Sequence, residues 1–461
     1  MPGKHFLYSR NKMRYDNCYF IGIGGIGMSA IARYFNHQGC NVSGYDRTPS
    51  PLTAKLEEEG IAIHYEESIE AIPKEIEKTL VIYTPAIPKD SLELTHVQKL
   101  GYKVCKRSQA LREIADGMEC LAVAGTHGKT TTSTLLSHIL TSSGEGCNAF
   151  LGGISKNYDT NLLLSKNNVL VAEADEFDRS FLQLFPKLAA ITATDADHLD
   201  IYEDRDNMLQ AFGEFAGQVE AEGTLVVKYG VEVPLARVSA RVLRYSYDTP
   251  CDFYASDIVP LEGGYFNFTL NYPGGKIEDC RVGVPGWVNV ENAVAASALA
   301  ILHGTWPKAV KEALATFSGV KRRFDIHVNR PGCAYVDDYA HHPNEIKAAI
   351  SSIRNIFPER KICGVFQPHL YTRTRDFADG FAEALSGLDS LIMLPIYPAR
   401  EEPIPGVSSN IIFDKVKVKD KVLVEKSSLI ETIIEKREDC LVTFGAGDID
   451  RFIEPIAQML K

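Results

Sequence analysis

The stretch CLAVAGTHGKTTT, residues 120–132, combines an apolar run, a Gly-rich turn and a run of threonines. Its apolar first half predicts a buried strand, and the Gly-rich turn that follows opens a predicted helix. In such a turn the backbone amides cradle phosphates, the Lys129 ammonium reaches the β and γ oxygens, and the Thr130 hydroxyl binds Mg²⁺. The spacing is shorter than the strict Walker form, because Val123 stands where the first Gly would be. The motif predicts ATP binding, and we call its turn the phosphate loop. The other predicted ATP contacts in this loop are Gly125, Thr126, His127, Gly128 and Thr131.

Acidic residues follow the next predicted strands. The run EADEFD at 173–178 comes directly after the apolar residues 169–172. A carboxylate at the end of a strand beside a phosphate loop is where Mg²⁺ needs a second protein ligand, so Glu173 is the candidate. The sequence DADH at 195–198 follows a further strand, and His198 is predicted either to ligate a second metal or to be a hydrogen-bonded loop histidine.

Another Gly-rich turn lies near the start of the chain, as GIGGIG at residues 22–27, and is called the first Gly-rich turn because it precedes the phosphate loop. A strand is predicted before it and a helix after it, and Asp46 ends the next predicted strand, where an acid can take a ribose hydroxyl. The pattern predicts a nucleotide diphosphate at the helix N-terminus and leaves open which nucleotide. The candidate contacts are Gly22, Gly24, Gly25 and Gly27.

Arginine and histidine clusters occupy the last third of the chain. They read KRRF at 321–324, DDYAHHPNE at 337–345 and QPHLYTRTR at 367–375. Each lies just past a predicted strand or at a domain junction, where doubly wound sheets bind ligands. Because the formal net charge is −11, a polyphosphate ligand needs such local cations. The same acidic balance argues against nucleic acid as a partner.

The length of 461 residues predicts about three domains. Short β-rich runs alternate with helical stretches, which is typical of α/β domains with parallel sheets. We expect a Rossmann-like domain over residues 1–118, a central P-loop ATPase-like domain over 119–322, and a C-terminal Rossmann-like domain over 323–461. Short β-like runs with Gly-rich turns over residues 224–283 predict an antiparallel insert in the central domain.

The cysteines and the hydropathy predict a cytoplasmic protein. Ten cysteines are scattered singly without a CxxC pair, which favours reduced thiols over a zinc ribbon or a redox motif. No apolar run reaches the roughly 18 residues of a membrane helix, and the N-terminal stretch lacks the apolar core of a signal peptide. We therefore expect no membrane span.

These motifs together resemble the Mur ligases, the ATP-dependent enzymes of peptidoglycan precursor synthesis. Besides the two Gly-rich turns, the resemblance is carried by GVKRRFD, DDYAHHPNEI, FQPHLYTRTRDF, PIPGVSS and FGAGDI, and it runs essentially end to end. It implies that the first turn holds the diphosphate of UDP rather than NAD. It also implies that L-alanine is joined to the lactyl carboxylate of UDP-N-acetylmuramate through an acyl phosphate, with ADP and phosphate released.

The resemblance implies roles for single residues as well. Lys129 and Thr130 would hold the γ-phosphate and Mg²⁺, Glu173 would bind Mg²⁺, and His198 would support a second metal. The implied contacts further along the chain are Asn289 and Asn292 for adenine, Arg323 for a phosphate, Asp337 for ribose, and His341 and Arg373 for the amino acid and the acyl phosphate. Two positions depart from the family pattern, Val288 in place of a histidine and Leu370 in place of an arginine of many relatives.

Three other functions compete with this one. A recycling ligase would attach a preformed peptide to UDP-N-acetylmuramate, a non-catalytic sensor would bind a UDP-sugar, and an NAD-dependent oxidoreductase would use the first turn alone. The intact phosphate loop argues against the last two, since neither needs a γ-phosphate site. The sequence leaves open whether the chain is a monomer or a homodimer.

Overall fold

The computed structural model describes residues 8–9, 12–196, 199–399 and 401–461. The chain forms two compact units. The first comprises Met1–Tyr254, Tyr272–Gly275 and Val294–Ala313, and the second comprises Ala255–Asn271, Lys276–Ala293 and Leu314–Lys461. Among the described residues, no helix has the length and apolarity that crossing a bilayer requires.

The N-terminal segment forms a five-stranded parallel sheet with helices on its faces. The order is β5-β4-β3-β6-β7, and all four pairings are parallel. Phe20 of this sheet and Phe35 of the first helix are fully buried, so that helix packs its apolar face on the sheet. The strands of this sheet are β3 (Asn17–Ile21), β4 (Asn41–Tyr45), β5 (Ala62–His64), β6 (Thr79–Tyr83) and β7 (Lys103–Lys106), and the helices are α1 (Ile26–His37), α2 (Pro51–Glu58), α3 (Leu92–Leu100) and α4 (Arg107–Ala115). Before them, β1 (Tyr8–Ser9) and β2 (Lys12–Met13) form a separate antiparallel pair.

The central segment carries the phosphate loop between its first strand and first helix. In the first unit its sheet has the order β10-β9-β11-β8-β12-β13-β14, parallel except for the β9–β10 hairpin. The strands are β8 (Glu119–Ala124), β9 (Asn148–Ser155), β10 (Thr160–Leu163), β11 (Val169–Ala174), β12 (Leu188–Ile191), β13 (Thr224–Lys228), β14 (Arg241–Ser246), β15 (Phe253–Pro260), β16 (Phe266–Tyr272) and β17 (Gly275–Arg281), and the helices are α5 (Lys129–Ser142), α6 (Leu199–Tyr202), α7 (Arg205–Gly217), α8 (Trp287–His303) and α9 (Pro307–Thr316).

The predicted antiparallel insert over residues 224–283 is correct only in its last part. β13 pairs with β14 in parallel, and β14 pairs with β15 in parallel at Tyr245 and Phe253, so the start of this region extends the parallel sheet. β16 and β17 are neighbouring strands joined by residues 273–274. A two-residue connection is too short for a parallel crossover, so this hairpin is antiparallel.

The C-terminal segment forms a six-stranded sheet in the order β18-β19-β23-β20-β21-β22. Only the edge pair β18–β19 is antiparallel, which confirms the predicted doubly wound architecture. The strands are β18 (Asp325–Arg330), β19 (Cys333–Asp338), β20 (Ile362–Phe366), β21 (Ser390–Met393), β22 (Asp420–Leu423) and β23 (Cys440–Phe444), and the helices are α10 (Pro343–Ile356), α11 (Tyr371–Asp376), α12 (Ala378–Leu385), α13 (Asn410–Phe413), α14 (Leu429–Lys436) and α15 (Ile453–Leu460).

An aromatic cluster anchors the turn that follows β11. Phe181 is fully buried, and its ring centroid lies 5.2 Å from that of Phe212 at an interplanar angle of 84° and 5.2 Å from that of Phe215 at 7°. The Phe181 amide donates a hydrogen bond to the carbonyl oxygen of Asp175 at 2.8 Å. The cluster therefore fixes the acidic turn to α7.

We expect Phe181→Ala to lower the free energy of unfolding by about 3–5 kcal/mol, because it opens a cavity and removes two aromatic contacts. Urea denaturation followed by circular dichroism measures the change. Phe185→Ala is the matched control in the same segment, since Phe185 is 50% exposed and contacts the Arg112 guanidinium at 5.2 Å from its ring centroid. It should cost no more than about 1 kcal/mol. Equal costs for the two variants would contradict the anchoring role.

Candidate active site

The phosphate loop is shaped by its two glycines. Gly125 has φ +134°, and a Cβ built there would lie 2.2 Å from the Thr192 hydroxyl oxygen, so only glycine fits. That hydroxyl donates to the carbonyl oxygens of Ala124 (3.1 Å) and His127, which ties β8 and its loop to the end of β12. Gly128, with φ +80°, ends the loop and caps α5. Helix α5 thus begins at the loop, and the N-terminus of a helix is a favourable position for an anion.

Lys129 is held inside the loop by two partners. Its ammonium donates to the Gly125 carbonyl oxygen at 2.6 Å and to both carboxylate oxygens of Glu176 at 2.9 and 2.7 Å. Glu176 is only 1% exposed. Burial alone lowers the pKa of Lys129, but the carboxylates of Glu176, Asp175 and Glu173 outweigh this effect and the pKa is raised. The ammonium therefore stays charged at the place where a terminal phosphate is expected.

Thr130 and Glu173 converge beside Lys129. The Thr130 hydroxyl donates to the Glu173 carboxylate at 3.1 Å, and the second carboxylate oxygen accepts the Gly152 amide at 3.0 Å. A Cβ on Gly152 would lie 2.1 Å from that carboxylate, so the glycine is needed for the close approach. A hydroxyl and a carboxylate offer only oxygen ligands, the donor type that Mg²⁺ prefers. The predicted pair is thus brought together, and its donor chemistry fits this metal.

The rest of the acidic run makes ion pairs with the start of α4. The Asp175 carboxylate lies 3.1 Å from an Arg107 guanidinium nitrogen, and the Asp178 carboxylate lies 2.7 Å from the Lys106 ammonium. Asp178 has φ +53°, in the left-handed region that aspartate tolerates better than most residues. The run therefore joins the central segment to the N-terminal one.

The first Gly-rich turn has the predicted form. Gly22 has φ +86° and donates its amide to the Tyr45 carbonyl oxygen at 2.8 Å, and Gly25 is the N-cap of α1. The Gly24 amide donates to the Asp46 carboxylate at 2.8 Å, so Asp46 shapes the turn itself. A Cβ on Gly27 would lie 2.7 Å from an Arg107 guanidinium nitrogen, which places a cation beside the start of α1. An anion at this turn meets both a helix N-terminus and that cation.

The loop after β12 contacts the phosphate loop. The Asp195 amide donates to the Thr126 hydroxyl oxygen at 3.1 Å, and the Asp195 carboxylate lies 3.4 Å from His127 Nε2. Thr131 is half-buried in the first turn of α5. His198, the predicted ligand of a second metal, lies outside the described residues. Within the described ranges, no three histidine, cysteine or acidic side chains are grouped as a metal site.

In the second unit, Arg323 and two aspartates lie at the start of the C-terminal sheet. The Arg323 guanidinium stacks on the Tyr339 ring at 4.8 Å from its centroid. Asp337 is fully buried and accepts hydrogen bonds from Arg322 (3.2 Å) and the Thr443 hydroxyl (2.7 Å). Burial raises the pKa of Asp337, against the opposing effect of Arg322. Its ribose contact stays a prediction, since in this structure the carboxylate serves internal partners.

Asp338 is the neighbouring acid, and its pKa is also raised. Burial raises the pKa of Asp338 to about 7, although the nearby Arg323 opposes the shift. Its carboxylate accepts the amides of Phe324 at 3.0 Å and Ala340 at 2.8 Å. It thereby ties the segment before β18 to the loop that carries the two histidines.

His341 and Arg373 are brought together by His369. The rings of His341 and His369 are 6.1 Å apart, and an Arg373 guanidinium nitrogen lies 3.3 Å from His369 Nδ1. His341 Nδ1 lies 3.0 Å from the Tyr339 carbonyl oxygen. Arg373 is 6% exposed. The sequence did not single out His369, although the motif QPH contains it.

Asn289 and Asn292 lie on α8 within the second unit. The Asn289 side chain donates to the Pro285 carbonyl oxygen at 2.6 Å, and the Asn289 backbone amide donates to the Gly286 carbonyl oxygen at 3.0 Å. Asn292 is buried, with 7% of its surface exposed. The adenine contact of both residues stays a prediction.

Sequence reasoning missed five residues that shape the site in the first unit. Each of them contacts residues that are distant in the sequence, and such contacts cannot be read from a single sequence. Only a local sequence pattern could have identified these residues. Gly152 belongs to a Gly-Gly pair inside a strand, a sign of close approach, and Thr192 stands at a strand end. The five are Lys106, Arg107, Gly152, Glu176 and Thr192.

The fold and the site define a class: three-domain α/β enzymes with a phosphate loop in the central domain and a diphosphate-type turn in the first. The chain belongs to the Mur ligase family. It matches the Mur ligase family, catalytic domain over residues 17–118, the Mur ligase middle domain over 123–300 and the Mur ligase, glutamate ligase domain over 322–447.

The curated relatives extend over the whole chain. A UDP-N-acetylmuramate–L-alanine ligase of Porphyromonas gingivalis is 49% identical over 96% of this chain and 98% of its own length. The enzyme of the same name from Flavobacterium psychrophilum is 48% identical over 98% of this chain and 99% of its own. The crystal structure of UDP-N-acetylmuramate-alanine ligase from Thermotoga maritima superposes with a TM-score of 0.81 at 29% identity, covering 96% of this chain and 99% of that one.

We expect Glu176→Gln to lower the free energy of unfolding of the ligand-free protein by about 3–5 kcal/mol. The change leaves the Lys129 ammonium, whose side chain is only 13% exposed, without its nearest counter-charge. Asp178→Asn is the matched control, since its pair with Lys106 is 30–40% exposed and should contribute about 1 kcal/mol or less. Urea denaturation of both variants is the measurement. If Glu176→Gln is as stable as the control, the ion pair does not hold the loop.

A second prediction concerns pH. The folded pKa of Asp338 is about 7 and the ordinary value 3.8, so the folded state retains a proton that the unfolded state loses between about pH 4 and 7. The contribution of Asp338 to stability therefore falls as pH rises through this window, by up to about 1.4 kcal/mol for each pH unit, and levels off above it. The difference in stability between wild type and Asp338→Asn should change by this slope in denaturation curves at several pH values. The exposed Asp414→Asn should show no such change, and parallel curves for Asp338→Asn and wild type would refute the assignment.

Proposed function

We propose that this protein joins L-alanine to the lactyl carboxylate of UDP-N-acetylmuramate at the expense of ATP, in peptidoglycan precursor synthesis. The observation that carries the proposal is the convergence of Lys129, Thr130 and Glu173 at the phosphate loop. A protein that only binds a UDP-sugar has no use for a buried ammonium beside an oxygen-ligand pair. The relatives named for this reaction cover the chain from end to end.

The reaction proceeds in two steps. The lactyl carboxylate oxygen attacks the γ-phosphorus of ATP and ADP leaves. The amine of L-alanine then attacks the acyl carbon, and phosphate leaves as the amide forms. Lys129 would balance charge on the phosphoryl group during its transfer, so this residue acts by electrostatics and positioning and no side chain becomes covalently modified.

Mg²⁺ would be held by Thr130 and Glu173, with His198 supporting a second metal. When bound, it neutralises phosphate charge and orients the γ-phosphate. The first Gly-rich turn would hold the UDP diphosphate through the amides at the start of α1 and the Arg107 guanidinium. We assign phosphate contact to Arg323 and substrate contacts to His341 and Arg373 from the family resemblance.

We place the protein in the cytoplasm. All ten cysteines are free thiols, eight of them buried, as expected of a reducing compartment. Its substrates are soluble nucleotides and an amino acid, which are found there.

The test is ATP-dependent phosphate release in the presence of Mg²⁺ and UDP-N-acetylmuramate, with and without L-alanine. We expect sustained turnover only with all components, and a loss of at least about 100-fold in Lys129→Ala, because a charged contact to the transferred phosphoryl group is removed. Circular dichroism checks that the variant is folded.

Lys187→Ala serves as the control, since Lys187 is 45% exposed and pairs with Glu119 away from the loop; its rate should stay within about twofold of wild type. Turnover with a preformed peptide but not with L-alanine would replace the proposal by a recycling ligase. Tight UDP-sugar binding without turnover would replace it by a sensor.

A further inference from the structure

A single buried asparagine joins the central segment to the helix of the first Gly-rich turn. Asn161, on β10, is fully buried. Its side-chain amide donates to the Ile26 carbonyl oxygen at 2.6 Å and to the Ser29 hydroxyl oxygen at 2.9 Å. Its side-chain oxygen accepts a hydrogen bond from the Arg33 guanidinium.

The three partners lie on one face of α1, at spacings of three and four residues. Ile26 is the first residue of α1, directly after the Gly25 N-cap, so Asn161 bonds the turn that we propose holds the UDP diphosphate. Arg33 is 7% exposed, and its guanidinium also donates twice to the Glu59 carboxylate at 2.8 and 2.9 Å. Glu59 follows α2. Asn161 thus bonds Arg33, whose ion pair with Glu59 joins α1 to the end of α2.

Only strand β9 lies between β10, which carries Asn161, and β11, which includes the proposed metal ligand Glu173. Leu162 of β10 pairs with Phe150 of β9, and Phe150 pairs with Ala172 of β11. Glu173 is the next residue of β11, and the Gly152 amide of β9 donates to its carboxylate at 3.0 Å. The β9–β10 hairpin therefore contacts α1 on one side and Glu173 on the other.

We propose that Asn161 is a positioning residue for the ligation. It would set the place of the first Gly-rich turn relative to Thr130 and Glu173, and so the distance between the substrate carboxylate and the γ-phosphate. This rests on the proposed function. Reacting atoms must approach to about 3–3.5 Å, and a displacement of about 1 Å can cost about 100-fold in rate. Its fully buried side chain bonds α1 and would not touch either substrate.

The experiment compares Asn161→Ala with wild type in steady-state turnover and in calorimetric titrations with UDP-N-acetylmuramate and with ADP. We expect kcat to fall about 10- to 100-fold, since the mutual placement of the substrates is disturbed. Each dissociation constant should change less than about threefold, since each turn keeps its own amides. A fall in stability alone does not produce this split at temperatures well below unfolding.

Asn167→Ala is the matched control. The Asn167 side chain donates to the carbonyl oxygens of Glu145 (2.8 Å) and Gly146 (2.6 Å), within the central segment. It should lower the melting temperature while kcat stays within about twofold of wild type. Should Asn161→Ala fail to fold, Ser29→Ala removes only the hydroxyl that accepts the 2.9 Å bond and leaves the contacts of Asn161 with Ile26 and Arg33 in place. It should show a smaller loss of kcat in the same direction.

Two results would overturn the inference: a kcat of Asn161→Ala within about twofold of wild type, or a loss confined to the dissociation constant of the UDP-sugar. The first would make Asn161 a structural residue, and the second a binding one. Failure of the proposed function is seen separately, because wild type itself would then not turn over with L-alanine.

Discussion

An ammonium with little exposure to water needs a carboxylate close by to stay charged. At Lys129, whose side chain is 13% exposed, this constraint determines how the chain continues after β11. Glu176 bonds the ammonium with both oxygens, so the chain has to turn sharply after β11. That turn uses left-handed backbone at Asp178 and Arg179, which costs free energy unless neighbouring contacts hold it. Phe181, buried between two phenylalanines of α7, supplies such contacts. The charged site therefore depends on an apolar anchor a few residues further along the chain.

Much of the fold could be predicted because apolar runs and glycines are local signals. The turns at Gly22 and Gly125 stand where the sequence placed them, since only glycine fits there. The direction of a strand relative to its neighbour is not a local signal, because it depends on the connection between the two strands. β13 and β14 were expected to be antiparallel, yet about twelve residues lie between Lys228 and Arg241, enough for a crossover to a parallel strand. A short apolar run carries no information on that choice.

In the candidate site, too, local motifs could be predicted and contacts between distant residues could not. The phosphate loop and Glu173 could be found because each follows a strand and carries its own chemistry. Partners such as Arg107 and Asn161 could not, since Arg33 and Asn161 are 128 residues apart and neither lies in a motif. An asparagine in a short strand predicts nothing until the helix it bonds is known. The side chains that link the segments of the two Gly-rich turns, Asn161 and Arg107, therefore follow from the fold and not from either motif.

Leu370 illustrates how a position can depart from its family pattern without loss of local structure. Its φ of +72° is unusual for leucine, and two hydrogen bonds hold the backbone: its amide donates to the Tyr397 carbonyl oxygen at 3.0 Å, and its own carbonyl oxygen accepts the Thr374 hydroxyl at 2.7 Å. Because its side chain is only 3% exposed, this turn is stabilised by backbone bonds and apolar burial and needs no charge at that position. The turn aims His369 and starts α11, which carries Arg373. The cation of this cluster is therefore supplied by Arg373, one turn further on.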